Sequence, residues 1–80
     1  MYISAQVSLY PLKQQKLSPA IKKAWKILER NRLNLKKGDM STVVTGEAGK
    51  VFRAIKEVFL ESAERDPVAL VVTFSNACPI

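Results

Sequence analysis

The stretch Tyr2–Leu12, YISAQVSLYPL, decides how the rest of the chain is interpreted. The odd-numbered residues are apolar, namely Ile3, Ala5, Val7 and Leu9. The even-numbered residues, which have the other parity, are polar or aromatic, namely Tyr2, Ser4, Gln6, Ser8 and Tyr10. Successive side chains of a β-strand point to opposite faces of a sheet. The alternation therefore predicts a strand with an apolar face and a polar face. Pro11 is expected to end it, because proline has no N–H to donate to a neighbouring strand.

Two helices and three further strands follow from the patterns downstream. Ser18-Pro19 is typical of a helix start, since serine caps well and proline fits the first turn. Asp66-Pro67 ends the second helix, because the residue before proline avoids helical geometry. The predicted elements after the first strand are a helix over 18–31, a short edge strand over 33–36, a strand over 40–45, a helix over 48–65 and a strand over 68–76.

Apolar residues at helical spacing predict which side of each helix is buried. In the first helix the predicted stripe is Ile21, Ala24, Trp25 and Leu28. In the second helix it is Val51, Ile55, Val58, Phe59 and Ser62. The passage into the second helix is expected at Gly46.

The order strand, helix, strand, strand, helix, strand predicts an α+β protein with the ferredoxin-like βαββαβ fold. Right-handed crossovers place both helices on one face of a four-stranded antiparallel sheet. The first strand is then central, between the third and the fourth, and the other face of the sheet stays open. Eighty residues are expected to form one domain spanning 1–80.

Parity then assigns side chains to the open face. In the last strand, Val68, Leu70, Val72 and Phe74 are expected to face the helices, which leaves Thr73 and Ser75 on the open face with Ser8 and Tyr10. The third strand is ambiguous, because Val43 and Val44 have opposite parity. One choice exposes Asp39, Ser41, Val43 and Thr45, and the other exposes Met40, Thr42 and Val44. An aromatic ring, a carboxylate and several hydroxyls together suit a small heteroaromatic ligand.

Composition argues against catalysis. The chain has one cysteine, Cys78, and no histidine, so neither an intrachain disulfide nor histidine acid–base chemistry is expected. No zinc set and no glycine-rich phosphate loop is found. We expect a non-enzymatic binding protein without a metal or cofactor. No apolar run reaches the roughly 20 residues of a membrane span, and the default localisation is cytoplasmic.

The net charge of +6 supports an alternative. Nine of the thirteen basic residues lie between Lys13 and Lys37, which indicates either a solvated helix face or a patch for an anionic partner. RNA-recognition domains share the βαββαβ order but carry stacking aromatics on the central strands. The third strand, 40–45, has none, so nucleic-acid binding is the lesser alternative, beside a regulatory or assembly domain.

Three segments resemble the YkoF branch of the thiamine-binding superfamily: SLYP at 8–11, DMSTVVTG at 39–46 and TFSNACP at 73–79. They occur in the same order around both helices. The resemblance implies a ferredoxin-like fold that binds thiamine or its hydroxymethylpyrimidine part. The best-known pattern of the family has two such domains in one chain, whereas this chain has one.

The residue pattern and the resemblance together define a predicted site on the open face. Its ligand-binding residues are Ser8, Tyr10, Asp39, Ser41, Thr42, Thr73, Ser75 and Asn76. Tyr10 is expected to stack on the ring, Asp39 to favour its cationic or amino-bearing part, and the hydroxyls to donate or accept hydrogen bonds. A homodimer or higher homo-oligomer is also expected, because a small domain with helices on one side of its sheet leaves the other side uncovered.

Overall fold

Six elements in the described part of the chain occur in the predicted βαββαβ order. The computed structural model describes residues 1–13, 18–38 and 41–77. The elements are β1 (Tyr2–Pro11), α1 (Ser18–Arg30), β2 (Asn34–Lys37), β3 (Thr42–Glu47), α2 (Ala48–Arg65) and β4 (Val68–Ser75). Proline therefore ends β1, and Asp66-Pro67 follows α2, as the sequence predicts.

The four strands form one antiparallel sheet in the order β2-β3-β1-β4. β1 lies in the middle, where Ala5 is opposite Val44 of β3 on one side and Phe74 of β4 on the other. Beyond the last pair of β1 and β4, the backbone N–H of Leu12 donates to the carbonyl of Pro67 at 2.9 Å. The prediction that the first strand is central is confirmed.

Both helices cover the apolar parity of β1. Ile3, Ala5, Val7 and Leu9 are all buried, together with Val44 of β3. Burying apolar surface is the main favourable contribution to folding. Neither helix in the described residues is long and apolar enough to cross a membrane.

The helix stripes differ from the prediction at their margins. Phe59 is not buried but 41% exposed, and Ala54 is fully buried instead. At 3.6 residues per turn, Phe59 lies roughly 80° around α2 from the centre of the buried side. In α1 the buried set includes Ala20 and Ile27, while Ile21 and Trp25 are only half-buried. A prediction from apolar residue type alone therefore overestimates the burial of large side chains at the edge of the buried side of a helix.

Gly46 lies within β3 rather than between elements, paired with Ile3 of β1. A Cβ added there would come within 2.5 Å of Cδ2 of the buried Leu33. The glycine is thus required by space and not by a special backbone angle. β3 continues directly into α2, because Glu47 both ends the strand and caps the helix.

The β2–β3 connection begins with Gly38, whose backbone N–H donates to the carbonyl of Ser41 at 2.9 Å. Asp39 and Met40, which the sequence places in the turn and at the start of the third strand, lie outside the described residues. Within the described residues, β3 begins at Thr42.

Candidate ligand-binding face of the sheet

The open face is the surface of the sheet that the helices do not cover. Burial resolves the ambiguity of β3, because Val44 is fully buried on the helix side. Ser41, Val43 and Thr45 therefore have the outward parity. The described open face consists of Tyr2, Ser4, Gln6, Ser8, Tyr10, Asn34, Lys36, Ser41, Val43, Thr45, Glu47, Ala69, Val71, Thr73 and Ser75.

Cross-strand pairing arranges these side chains in rows across the sheet. Ser4 lies between Thr45 and Ser75, and Gln6 lies between Val43 and Thr73. Further along β1, Ser8 is opposite Val71 and Tyr10 is opposite Ala69. The centre of the face is therefore polar, and small or apolar side chains of β4 border it.

Two side-chain contacts link β1 to the β3 side of the face. The amide Nε2 of Gln6 donates to Oγ of Ser41 at 3.1 Å. Oγ of Ser4 lies 3.5 Å from Oγ1 of Thr45. Gln6 is absent from the predicted site, although its parity places it on the open face. Its amide is positioned to hold the Ser41 hydroxyl or to meet a ligand.

The structure does not bring the eight predicted site residues into one cluster. Ser8, Tyr10, Ser41, Thr73 and Ser75 lie on the open face, while Thr42 lies on the helix side. Asn76 follows the end of β4, and Asp39 lies outside the described residues. The predicted set is therefore divided between the two faces of the sheet.

Even on the open face, Tyr10 and Ser75 lie at opposite ends. Tyr10 pairs with Ala69, six residues before Ser75 on the same strand. At about 3.4 Å per residue, the two positions are roughly 20 Å apart. One small ligand cannot contact both within a single copy.

The end near Tyr10 combines an aromatic ring with hydroxyls. Tyr10 is 41% exposed, and Ser8, two residues before it in β1, lies on the same face. Ser41 and Thr73 lie towards the centre, on either side of Gln6. A planar ring lying on Tyr10 would have its edge directed at Ser8 and Ser41, while Thr73 lies about 14 Å along β4 from the partner of Tyr10.

The other end carries a shallow depression of about 160 Å³. Its lining consists of Tyr2, Ile3, Ser4, Thr45, Ser75, Asn76 and Ala77. Oγ of Ser75 already accepts the backbone N–H of Ala77 at 3.2 Å. This hydrogen bond fixes the hydroxyl within the local turn.

Thr42 belongs to a cleft between the sheet and α1. Its Oγ1 accepts the indole N–H of Trp25 at 2.8 Å, and Nζ of Lys37 lies 4.8 Å from the centre of the indole ring. The cleft has a volume of about 40 Å³. Since one water needs roughly 10–15 Å³ by this measure, the cleft accommodates a few waters and not a heteroaromatic ring.

Most of the charged residues lie on the helices, while the described open face carries Lys36 of β2 and Glu47 of β3. Lys22, Lys23 and Lys26 are exposed on α1. Arg30 donates to Glu57 at 2.8 Å and to Glu61 at 2.9 Å, across the two helices. The hydrogen bond from Arg30 holds the pKa of the Glu57 carboxyl below its usual range.

The positions of the α1 lysines indicate that nucleic-acid binding and small-molecule binding would use different surfaces. Lysines on α1 are remote from the polar rows of β1, because the helices cover the other face of the sheet. Among the described residues, no group of three or more potential metal ligands occurs. A ligand on the open face would meet hydroxyls, an amide and a tyrosine ring.

The family profile decides the relationship of the chain. The profile of the YKOF-related family matches residues 2–80. The chain belongs to the YKOF-related family. Among curated proteins, no sequence matches this YKOF-related protein.

Solved structures are similar to this YKOF-related protein over nearly its full length. A hypothetical protein from Methanocaldococcus jannascii has a TM-score of 0.88 at 25% identity, covering 96% of this chain and 81% of the other. A protein from Streptococcus pneumoniae has a TM-score of 0.89 at 20% identity, covering 98% and 89%. A candidate thiamine biosynthesis or salvage protein from Thermotoga maritima has a TM-score of 0.83 at 17% identity, covering 100% and 89%. These similarities establish the ferredoxin-like fold.

Proposed function

We propose that this protein binds thiamine or its hydroxymethylpyrimidine part on the open face, without catalysing a reaction. Membership of the YKOF-related family over residues 2–80 is the observation that carries the proposal. The description of the Thermotoga maritima protein, a candidate for thiamine biosynthesis or salvage, supports the same ligand class. Binding of this kind suits a cytoplasmic carrier, buffer or sensor of the vitamin.

The end of the open face near Tyr10 is the best place for the ligand. The exposed Tyr10 ring offers a stacking surface, and Ser8 lies beside it on the same face of β1. Ser41 would meet the polar edge of that ring, and Thr73, beside the amide of Gln6 and about 14 Å along the sheet, would meet the far end of thiamine. Thr42 has a different role in this arrangement, because its hydroxyl accepts the indole N–H of Trp25.

Asp39 is retained in the proposed site on sequence grounds, as the carboxylate that meets the cationic part of thiamine. At about 4 Å and an effective dielectric constant of 20, a carboxylate attracts a cation by up to about 4 kcal/mol before desolvation. Exposed lysines more than about 10 Å away are largely screened at 0.1 M salt. A net charge of +6 therefore does not prevent a cation from binding locally.

A second copy is proposed to cover this face. Val43, Ala69 and Val71 give the face apolar area, and burying such area contributes roughly 25 cal/mol per Å². Two open faces meeting about a two-fold axis would enclose the ligand at the seam. Ser75 and Asn76, too distant from Tyr10 in one copy, would contribute to the site across that seam.

Calorimetric titration tests the ligand class directly. Thiamine, hydroxymethylpyrimidine and single-stranded RNA are titrated in parallel into folded protein freed of ligand. Saturable binding of thiamine or the pyrimidine is expected. If neither binds at millimolar concentration, the proposal is wrong, and saturation by RNA alone would favour the nucleic-acid alternative.

Three variants locate the site. Tyr10→Leu removes the ring and should weaken binding at least tenfold, while Tyr10→Phe keeps the ring and should bind nearly as the unaltered protein does. Asp39→Asn keeps the shape and removes the charge, so it should weaken thiamine more than the neutral pyrimidine. Equal losses for both ligands would remove the electrostatic role of Asp39.

Light scattering tests the face-to-face pairing. A dimer or larger assembly at micromolar concentration is expected, with ligand shifting the equilibrium towards it by mass action. An 8.9 kDa monomer with and without thiamine would rule the pairing out.

A further inference from the structure

A cleft that the proposed ligand site does not use lies on the helix side of the sheet, where α1 begins and α2 ends. We name it the Ser62 cleft. Its lining consists of Pro11, Pro19, Ala20, Lys23, Ser62, Arg65, Asp66 and Val68. The volume of the Ser62 cleft is about 170 Å³. Since one water needs roughly 10–15 Å³ by this measure, the Ser62 cleft has room for a polyatomic ion.

Ser62 forms the inner wall of this cleft, and its hydroxyl is unpaired. The residue is 4% exposed, and among the described residues its Oγ makes no hydrogen bond. A serine within a helix often donates to a carbonyl of the preceding turn, but Ser62 does not. Buried hydroxyls are nearly always paired, because an unpaired one loses its hydrogen bonds to water without replacement. The Ser62 hydroxyl is therefore available to a group bound in the cleft.

The first turn of α1 contributes a backbone N–H to the same cleft. N–H groups at the start of a helix have no partner within that helix, and Ala20 lies in this turn and lines the cleft. No acidic side chain occurs in the first turn of α1. The positive end of the α1 dipole therefore borders the Ser62 cleft without a carboxylate of its own turn to neutralise it.

Two cationic side chains also line the Ser62 cleft, Lys23 of α1 and Arg65 in the last turn of α2. Neither of them forms a salt bridge in the described part of the chain. Asp66 lines the cleft as well, and its carboxylate opposes an anion, as do the carbonyl groups at the end of α2. The carbonyl of Ser62 already accepts the backbone N–H of Asp66 at 3.3 Å. The two cations therefore outnumber the one lining carboxylate.

We propose that the Ser62 cleft binds a phosphate group, either the free ion or the phosphate of a monoester. A phosphate group presents oxygens in several directions, which suits donors that come from two different helices. The N–H of Ala20 and the positive end of α1 meet one side of it, as at other helix N-termini that bind phosphate. Lys23 and Arg65 supply charge, and the guanidinium of an arginine can pair with two phosphate oxygens at once. Ser62 donates directly or through one ordered water.

The Ser62 cleft and the Tyr10 end of the open face lie at the same end of the sheet but on opposite faces. Pro11 directly follows Tyr10 in β1, and its partner Val68 directly precedes Ala69 in β4. Successive residues of a strand point to opposite faces, so the sheet separates the two sites. Phosphate binding in the cleft is therefore independent of the proposed ligand, and the failure of either would leave the other intact.

Backbone NMR resonances locate the binding of inorganic phosphate. The protein is titrated with sodium phosphate and, at the same pH and ionic strength, with sodium chloride. Phosphate at millimolar concentration should cause saturable shifts in the N–H resonances of Ala20, Ser62 and Asp66. Ser8 and Thr73 on the open face should show no comparable shifts. Shifts that do not saturate, or that chloride reproduces, would overturn the proposal.

Glycerol phosphate, titrated in the same way, separates the two sources of the phosphate group. Saturable shifts at Ala20 and Ser62 with glycerol phosphate, at concentrations no higher than those needed for inorganic phosphate, support a cleft that accepts a monoester. Shifts with inorganic phosphate alone support a site for the free ion. A lack of saturable shifts with both compounds contradicts the proposed site.

A matched pair of charge removals on α1 tests the electrostatic contribution. Lys23→Gln and Lys22→Gln each remove one cation from an exposed position of the helix, but only Lys23 lines the Ser62 cleft. Lys23→Gln should raise the dissociation constant for phosphate about tenfold, because it removes a charged hydrogen-bond donor. Lys22→Gln should change it less than about twofold, since solvent screens exposed charges. Equal effects would mean that phosphate responds only to the overall charge, which would refute the site.

Ser62→Ala gives a result that a purely structural role would not give. Without phosphate, removing an unpaired hydroxyl should leave the midpoint of thermal unfolding unchanged or raise it. With phosphate, the midpoint of the unaltered protein should rise by mass action. Ser62→Ala should gain less, because its dissociation constant for phosphate is expected to be at least about fivefold higher. A variant that is destabilised without phosphate, yet binds phosphate as tightly as the unaltered protein, would show that the hydroxyl serves the fold and not the cleft.

Discussion

The two faces of β1 are built from one backbone but have opposite properties. Ala5 is fully buried against the helices, while Tyr10, five residues later, is 41% exposed on the other face. The buried parity is held by contacts from both helices and from the neighbouring strands. The open parity is held mainly by its own cross-strand pairs. The helix-side face of β1 therefore determines the fold, and the residues of the open face can vary to suit a ligand.

Successive residues of a strand point to opposite faces of the sheet. Substitutions on the helix side and on the open side should therefore separate effects on stability from effects on binding. A change on the helix side should lower the free energy of unfolding through lost or crowded contacts. A change on the open side should leave folding nearly unaltered and act on ligand or on assembly.

Leu28→Ala should cause the largest loss of stability. Leu28 is 1% exposed at the centre of the core. Replacing a buried leucine by alanine typically lowers the free energy of unfolding by about 2–5 kcal/mol, and we expect a loss of about that size here. Thr73→Ala on the open face should change the free energy of unfolding by no more than about 0.5 kcal/mol. Urea unfolding of both variants at equal protein concentration measures the contrast. Similar losses would show that the open face also determines the fold.

Gly46→Val should have the next largest effect, at about 1–3 kcal/mol of destabilisation from overpacking. Its new Cβ meets Cδ2 of Leu33, which is itself buried. Combining Gly46→Val with Leu33→Ala makes room, so the double variant should lose less than the sum of the two single losses. Strict additivity would show that the two positions do not compete for the same space.

Thr42→Val should cost about 1 kcal/mol, because the Trp25 indole N–H loses its acceptor. Trp25→Phe leaves the buried Thr42 hydroxyl unpaired in the same way. Replacing both partners should recover part of the loss, and thiamine affinity should not change in Thr42→Val if the ligand lies on the open face. A loss of affinity would instead return Thr42 to the site, as the sequence pattern predicts.

The fold was predictable because its signals are local. Alternation in β1 sets the faces of that strand, and Pro19 and Pro67 mark where helices begin and end. β3 was ambiguous, since adjacent valines satisfy either parity, and only packing against α2 assigns Val44 to the core. Phe59 is the exception in α2, because its position about 80° from the centre of the buried side leaves a large apolar side chain partly exposed.

The site was less predictable because it depends on register. Parity correctly places Ser8 and Tyr10 on the same face, but it does not reveal which residue of β4 lies opposite each of them. The pairing of Tyr10 with Ala69 leaves Ser75 roughly 20 Å away. Gln6 could have been included from parity alone, whereas its contact with Ser41 requires the alignment of β1 with β3. Residue types therefore indicated a binding face more reliably than they indicated a cluster.

The smallest predicted effect is a pH dependence at the corner where β3 enters α2. Oε1 of Glu47 accepts the backbone N–H of Lys50 at 3.3 Å, and the N–H groups of Gly49 and Lys50 hold the pKa of the Glu47 carboxyl below its usual value. The ionised side chain satisfies N–H groups that the first turn of a helix leaves unpaired, and it lies at the positive end of the helix dipole.

A carboxyl whose pKa is lowered by folding stabilises the folded state above its unfolded pKa, and this contribution is lost as the pH falls through the folded pKa. Glu47→Gln should therefore be less stable than the unaltered protein at pH 7 and approach it in acid, where the glutamate is protonated. Glu47→Ser keeps a good capping side chain without a charge, so it should recover stability at pH 7 without the acid dependence. Thermal unfolding of the three proteins at pH 7 and pH 3 measures this. A difference between Glu47→Gln and the unaltered protein that stays constant across that range would mean that the charge of the cap contributes nothing.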